Sequence, residues 1–468
     1  MASVPQQPGP VRVVRVDVDQ PVPDVSAVRD AGDEYDGAFV IVERAGRPIG
    51  NFEVDLDSRG IPAGELKNLI EQHLGDAWSE PGPDRPVVDD DSLPFISVVI
   101  PTAFQRVELL ARCVAAVVGQ DYPRFEVIVS DNRPDEGPER AAHWRRLMED
   151  PRVRVVAEPL TGSSAARNRG IQTARGEVTA FLDDDAVPVQ GWLRAVGRRF
   201  ALEPETDAVT GLLLPHELET TAQVLFERSG SKVAHRYERL SLQGGPVRRG
   251  DRTAGAQDGG AVPGAGRSRG RFEITAWYPD RPSEEAESYL IYRVGRFGMG
   301  ANMSFRTDVL RRLGGFDEAM GIGTPSLGGV ELHFFVRMLF AGGRLTFDPE
   351  VVMYHTHIQE YDELRRKLYS YGCGYTAMLT ALVLANPRHL VGLSGNAIQA
   401  LRLFGRKFFS ERSAAAAEGQ FPAELSRAEM RGFAIGPWRY VYSRMSMRRD
   451  RKAIAATQKV RSYSSRPA

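Results

Sequence analysis

Four short apolar runs, Ile96–Ile100, Phe125–Val129, Arg152–Val156 and Val178–Leu182, fall between residues 95 and 185. All four suit strands, and Val178–Leu182 is a continuous β-prone run of the kind found inside a covered parallel sheet. Between the first two, from about Arg106 to Val118, Val107, Leu110, Val114 and Val117 recur at helical spacing. Alternation of strands and helices predicts an α/β fold with a doubly wound, mostly parallel sheet. The pattern before residue 79 is different. Val11–Val18 has β-type composition, and Phe39–Val42 and Ile49–Val54 flank a turn at Ala45-Gly46, which predicts a hairpin. Ala63–Leu74 sets Leu66, Leu69, Ile70 and Leu74 on one helical face. Residues 1–78 therefore read as a small β-rich module, structural or partner-binding, and 79–94, rich in proline and acid, as a linker.

After the fourth run the pattern loosens. Leu212–Pro215 suits a strand or its exit, and Glu217–Arg228 a helix. Residues 244–271 are mostly Gly, Arg and Ala, cannot bury a core, and are expected to form a mobile insertion. Order returns at Phe297–Phe305 and in a helix at Asp308–Leu313. The loop GIGTPSLGG that follows is glycine-rich enough to close over a ligand. VELHFFVRMLFAGG predicts a helix with Leu332, Phe335, Val336 and Leu339 inward, ended by Gly342-Gly343. Arg344–Phe347 and Val351–Tyr354 lead to His355-Thr-His357, where positions two apart on an extended chain share a face. Helical patterning then runs from Tyr361 to about Arg412, giving an expected helical extension over 361–438.

Composition narrows the function classes. The 468 residues exceed one typical domain. Sixty Lys+Arg against 61 Asp+Glu argue against a bulk nucleic-acid binder. Cys113 and Cys373 have no metal or redox spacing, which suits a reduced compartment. The first twenty residues lack the apolar core of a signal peptide, and the longest apolar stretch, around Met378–Ala385, is short of the ~20 residues a spanning helix needs. A cytoplasmic protein is the expectation. Residues 439–468 carry nine Lys/Arg against one acid, Asp450. That basic tail suits either peripheral contact with the inner face of an anionic membrane or a frayed, solvated end.

The candidate chemistry gathers in TGSSAARNRGIQTARGEVTAFLDDDAVP, residues 161–188. Asp183, Asp184 and Asp185 leave the carboxyl end of a buried strand, where open α/β sheets bind ligands. Three adjacent carboxylates repel one another unless water or a cation screens them. Ser163 or Ser164 is placed to cap a helix whose first turn carries Arg167, near an anion position. A phosphate-binding turn feeding metal-binding carboxylates points to nucleotide-diphosphate chemistry.

VVIPTAFQR, FEVIVSDN, AARNRG, FLDDD and GGFDEAM, in this order, resemble the successive signatures of family 2 glycosyltransferases with the A-type nucleotide-sugar fold. The resemblance covers roughly Phe95 to Tyr371 and implies a catalytic domain over 95–360. It implies that Pro101, Thr102 and Asp131 hold the nucleoside, Asp131 near the base, although Asp131-Asn132 alone reads as a turn pair. It implies that Arg167 faces the diphosphate and that Asp183 and Asp185 are the outer acids of an Asp-x-Asp motif, with Asp184 counted among the donor contacts. A divalent cation, Mn²⁺ or Mg²⁺, is the implied cofactor. His355 or His357 is expected to complete the metal or diphosphate site. In the family the helix that begins here at Val330 opens with Glu-Asp, the aspartate being the base for inversion; this chain reads Val330-Glu331. Glu331 becomes the expected base, with His333 as a helix-surface histidine of the same region.

The implied reaction moves a sugar, on uridine diphosphate by analogy, to a hydroxyl of a glycan, a lipid-linked carrier or a small molecule. Two rival readings stand beside it. One is a non-catalytic nucleotide-sugar-binding scaffold, motivated by Val330-Glu331. The other is a nucleotidyltransferase, which calls for a glycine-rich basic turn where this chain has PTAFQR.

Overall fold

The computed structural model describes residues 8–79, 86–133, 137–229, 235–244, 273–281, 286–298, 300–394 and 421–464; the expected mobile insertion lies outside them, Gly244 apart. Strands β4 (Ile96–Thr102), β5 (Phe125–Asp131), β6 (Val153–Ala157) and β7 (Val178–Leu182) form where the apolar runs predict strands. In space their order is β7-β4-β5-β6, every pair parallel. β4, β5 and β7 are buried along their whole length, which is why their sequences show no alternation.

Beyond β7 the sheet becomes mixed. β13 (Asn302–Arg306) runs antiparallel to both β7 and β9 (Ala208–Pro215). β9 is parallel to β14 (Arg344–His355). The two separate runs expected at Arg344–Phe347 and Val351–Tyr354 are one strand with an irregularity between Asp348 and Val352. Gly211 sits at that irregularity, where a Cβ would fall 1.9 Å from the Val351 carbonyl oxygen. The short β8 (Ala186–Pro188) pairs with the end of β14, setting His355 opposite Ala186. A histidine 170 positions down the chain is thereby delivered to the residue following Asp185. Outermost, β10 (Leu240–Gln243), β11 (Glu273–Trp277) and β12 (Glu287–Leu290) extend the sheet to eleven strands among the described residues.

Helices cover both faces, α2 (Val107–Val118) and α5 (Trp192–Leu202) on one and α4 (Ser163–Thr173) and α7 (Val330–Phe340) on the other. α7 is buried nearly all round rather than on one stripe, with Val330, His333, Phe334, Phe335, Val336, Met338 and Leu339 all inside. Its Phe334 meets Phe305 and Phe316 edge-on or tilted, each at 5.1 Å between centroids.

The amino-terminal part forms its own three-stranded sheet, β1 (Val11–Asp17), β2 (Gly37–Arg44) and β3 (Arg47–Asp55), with α1 (Ala63–Leu74) packed over it through Leu66 and Ile70. Ala45 and Gly46, both at positive φ (51° and 72°), make the tight turn that matches strand twist in a two-residue hairpin. This sheet docks on β14: the Tyr354 hydroxyl donates to Glu43 at 2.9 Å, and Arg15 chelates the same carboxylate.

The carboxyl-terminal part is helical as expected among the described residues, and the helix runs on past residue 439. Residues Ala423–Ser464 are one 42-residue helix, α9, laid along α8 (Tyr361–Ala385), and the basic residues after 439 continue it instead of fraying. Gly372 and Gly432 permit the close crossing, since a Cβ at either would fall 2.1 Å from a carbonyl oxygen of the other helix. α8 itself is long and apolar enough to cross a membrane by length and composition, which inspection of single apolar runs misses. Leu364, Leu368, Cys373, Ala377 and Met378 are buried, so it packs like a core helix of a folded domain.

Candidate active site

The carboxyl ends of β4, β5 and β7 lie side by side, and Asp183–Asp185 follow β7 directly. Two arginines meet the three carboxylates. Arg167, 6% exposed on α4, donates from Nη2 to Asp183 Oδ1 at 2.9 Å. Arg106, just ahead of α2 and half exposed, bridges the other two, Nη2 to Asp184 Oδ1 and Nη1 to Asp185 Oδ2, both at 2.5 Å. Asp184 also accepts the Thr102 hydroxyl proton at 2.8 Å, while Thr102 Oγ1 accepts the Phe104 amide at 2.9 Å. Burial pushes the Asp184 carboxyl above its usual range despite Arg106. Thr102 and Asp184 are thus joined, and Pro101 is buried within β4 behind them.

Asp185 is satisfied on one side only. Its Oδ1 is buried without a hydrogen-bond partner and lies 3.6 Å from His355 Nε2. Burial lowers the His355 pKa, which keeps the imidazole neutral near pH 7. Among the described residues no three His, Cys, Asp or Glu side chains cluster closely enough to enclose a metal. The donor set nevertheless fits a hard cation whose remaining positions a ligand fills. An orphaned carboxylate oxygen facing an imidazole nitrogen, with Asp183 alongside, is oxygen-rich, anionic and incomplete.

His357 does not share the face of His355. β14 ends at His355, so strand alternation no longer governs residue 357. Its ring is 3% exposed behind His355, Nδ1 to Nδ1 at 3.2 Å, with Nε2 on Glu227 Oε2 at 2.9 Å. Of the two histidines expected to complete the site, His355 faces Asp185 and His357 lies behind it against Glu227.

Asp131, expected near the base, is held by protein partners. Its side chain is fully enclosed. Oδ2 accepts Arg140 Nε at 2.6 Å and the Trp144 indole at 2.9 Å; Oδ1 accepts Arg140 Nη2 at 2.8 Å and the Arg133 amide at 2.9 Å. A carboxylate has about four acceptor positions, and all are taken, so none is open to a nucleobase.

The expected anion turn is also occupied by protein. α4 has no side-chain cap; the Ser163 amide donates to Ile322 O at 2.9 Å and the Ser164 hydroxyl to Met320 O at 2.8 Å. Carbonyls of the 316–327 loop take the place an anion would have had. That loop is no free lid. Ser326 and Ser443 both donate to Ala319 O (2.6 and 2.7 Å), and Tyr440 of α9 donates to Asp317 at 2.7 Å.

Glu331 stands in the first turn of α7 beside Arg167: a Cβ built on Gly300 would lie 3.5 Å from both Arg167 Nη2 and Glu331 Oε2. His333 points the other way, 4% exposed with both ring nitrogens unpartnered, and burial lowers its pKa to about 4. It is a core residue, not the surface histidine expected, and has no access to the cleft.

Four residues that sequence reading missed belong to this region: Arg106, Glu227, Lys367 and Tyr371. The last two lie one turn apart on α8. The Lys367 pKa is raised first by the Tyr371 phenol, then, against burial, by Asp183, Asp185 and Glu331. A lysine and tyrosine at i, i+4 shortly after a His-x-His pair was the available signal.

Residues 97–256 match the family model described as "Glycosyl transferase family 2". This segment is similar to glycosyl transferase family 2. Part of the chain also aligns with curated proteins. Glycosyltransferase AglE of Haloferax volcanii is 38% identical over 104 residues, 22% of this chain and 34% of that protein. The GalNAc(5)-diNAcBac-PP-undecaprenol beta-1,3-glucosyltransferase of Campylobacter jejuni is 30% identical over 103 residues, covering 22% and 33%. The chain thus spans about a third of the length of the curated relatives it matches. Among solved structures, mannosyltransferase PcManGT from Pyrobaculum calidifontis, in complex with GDP-Man and Mn²⁺, aligns over 80% of this chain and 97% of its own at 17% identity, with a TM-score of 0.42.

Proposed function

We propose that this protein transfers a sugar from a nucleotide-diphosphate donor to an acceptor hydroxyl, with inversion and with a divalent cation. The observation that carries the reading is Asp185 Oδ1, buried, unpaired and facing His355 at the end of a family 2 strand. Asp183, Asp185 and His355 would hold the cation, which when bound neutralises charge on the departing diphosphate. Arg167, Arg106 and Lys367 orient the anionic donor, and Thr102 fixes Asp184 so that the three carboxylates keep their spacing. Glu331 removes the acceptor hydroxyl proton; the oxygen bonds to the anomeric carbon as the bond to the diphosphate oxygen breaks, and the electron pair leaves with the nucleoside diphosphate. Glu331 stands in the first turn of α7, beside Arg167.

The uridine donor is a family analogy. The lipid-linked acceptor class is suggested by the undecaprenol-linked substrate named for the Campylobacter jejuni relative. Peripheral attachment of a cytoplasmic enzyme at an anionic membrane would bring it to such an acceptor. α9 suits that role: Trp438, Tyr442 and Met445 are exposed at helical spacing, and Arg448, Arg449 and Lys452 follow.

The test is release of nucleoside diphosphate and sugar transfer from UDP- and GDP-sugars, with Mn²⁺ and with EDTA. Glu331→Gln should lower turnover about 100- to 10,000-fold while donor binding, read by thermal shift, stays unchanged. Metal-dependent donor binding in the native chain with no transfer to any acceptor, and no effect of Glu331→Gln, would leave the scaffold reading in its place. Pyrophosphate as product would instead mark a nucleotidyltransferase.

A further inference from the structure

We infer that Glu227 and His357 are positioning residues that fix which nitrogen of His355 carries its proton, and so present a lone pair toward the cation position at Asp185. The inference rests on the metal-dependent reading above. Three contacts run in series: Glu227 Oε2 to His357 Nε2 at 2.9 Å, His357 Nδ1 to His355 Nδ1 at 3.2 Å, and His355 Nε2 to Asp185 Oδ1 at 3.6 Å. The proton order follows from the fixed end. A carboxylate only accepts, so His357 carries its hydrogen on Nε2 and accepts at Nδ1. His355 must then donate from Nδ1, which leaves its Nε2 bare. Nε2 and the unpartnered Asp185 Oδ1 are two electron-rich atoms facing each other in a buried space. They repel unless a cation stands between them.

The reversed order needs an extra proton on the pair and sets a His355 Nε2–H against Asp185. Such a bond would close to about 2.9 Å, and 3.6 Å is beyond hydrogen-bond range. The surroundings hold the chain in place. Glu227 lies in α6 (Thr221–Arg228), whose start is fixed by a capping box between Thr220 and Gln223. Gln223 also reaches the His357 carbonyl at 3.4 Å, and the Phe226 ring meets the His357 ring edge-on at 4.8 Å. One short helix thus both aims and orients the imidazole behind the ligand, the arrangement by which outer partners set the tautomer of a metal-bound histidine.

The test is Mn²⁺ titration of the full chain with saturating UDP, then with GDP, reading free Mn²⁺ by electron paramagnetic resonance. His357→Phe keeps a ring but removes the acceptor, and should weaken Mn²⁺ binding about 10- to 100-fold. Nucleotide binding in EDTA should not change. His357→Asn, whose amide oxygen can accept from His355 Nδ1–H, should restore most of the loss. Glu227→Gln, nearly isosteric, can donate as well as accept and no longer dictates the proton's place; it should weaken binding in the same direction and serves if the phenylalanine variant does not fold. Wild-type Mn²⁺ affinity in His357→Phe or Glu227→Gln, with His355→Ala losing it, overturns the relay and leaves the proposed cation site standing. No Mn²⁺ binding by the native chain with either nucleotide overturns both.

Discussion

Asp131 and Asp185 stand at or just past the ends of the two strands that flank β4, and chemically they are opposites. Asp131 has every acceptor position filled by Arg140, Trp144 and a backbone amide. Asp185 has one oxygen tied to Arg106 and the other buried with nothing to accept from. A satisfied buried carboxylate is architecture: it anchors the helix Gly137–Leu147 to the edge of the cleft. An unsatisfied one carries a desolvation cost that folding alone does not recover, and a ligand can. Position at a strand end is shared by both; the partner set separates structure from function.

The widest separation should come from matched amide substitutions. Asp131→Asn leaves the Arg140 guanidinium buried against a neutral group and should cost about 3–5 kcal/mol of stability in denaturant titrations. Asp185→Asn should leave the melting temperature almost unchanged and lower metal-dependent transfer about 100-fold or more. Equal stability losses in the two would erase the distinction.

The histidines divide in the same way, and pH exposes it. His333 is neutral in the folded state because burial lowers its pKa to about 4, whereas the unfolded chain protonates near 6.5. Its contribution is therefore fully present above pH 6.5 and is lost as pH falls from there toward 4, about 2 kcal/mol by pH 5. Denaturant curves at pH 7 and pH 5 should show that slope, and His333→Leu should flatten it without affecting metal binding.

The smallest effect is expected from Arg106→Ala. This half-exposed guanidinium bridges Asp184 and Asp185, and its loss should change stability by less than about 1 kcal/mol. A larger loss would move Arg106 into the architectural class with Arg140.

The sheet was legible because burial on both faces leaves a local record. Ile96–Ile100 and Val178–Leu182 are buried at every position and carry only one polar residue each, Ser97 and Thr179, so no distant residue is needed to read them as strands. The Asp triad was legible too, since its position follows from the strand before it. What failed was whatever depends on a partner elsewhere in the chain. Asp131 looks like an open ligand until Arg140 is brought to it, and the start of α4 looks like an anion site until the carbonyls of residues 320 and 322 fill it. His357 looks equivalent to His355 until Glu227, 130 positions earlier, claims it. The basic residues after 439 read as a loose tail because nothing local announces Asp317 and Glu318 as partners of Tyr440 and Arg451. Pairings of this kind are set by topology, and a sequence window does not contain them.

The bond between Tyr354 and Glu43 reaches beyond the folded state. It joins residues 311 positions apart, immediately next to His355. During synthesis the amino-terminal sheet emerges first and can fold while the rest is still being made. It then waits, with Glu43 and Arg15 in place, for a strand translated roughly 300 residues later. Cleavage between the two would free the end of β14, next to His355, from the side-chain hydrogen bond that Tyr354 makes to the amino-terminal sheet.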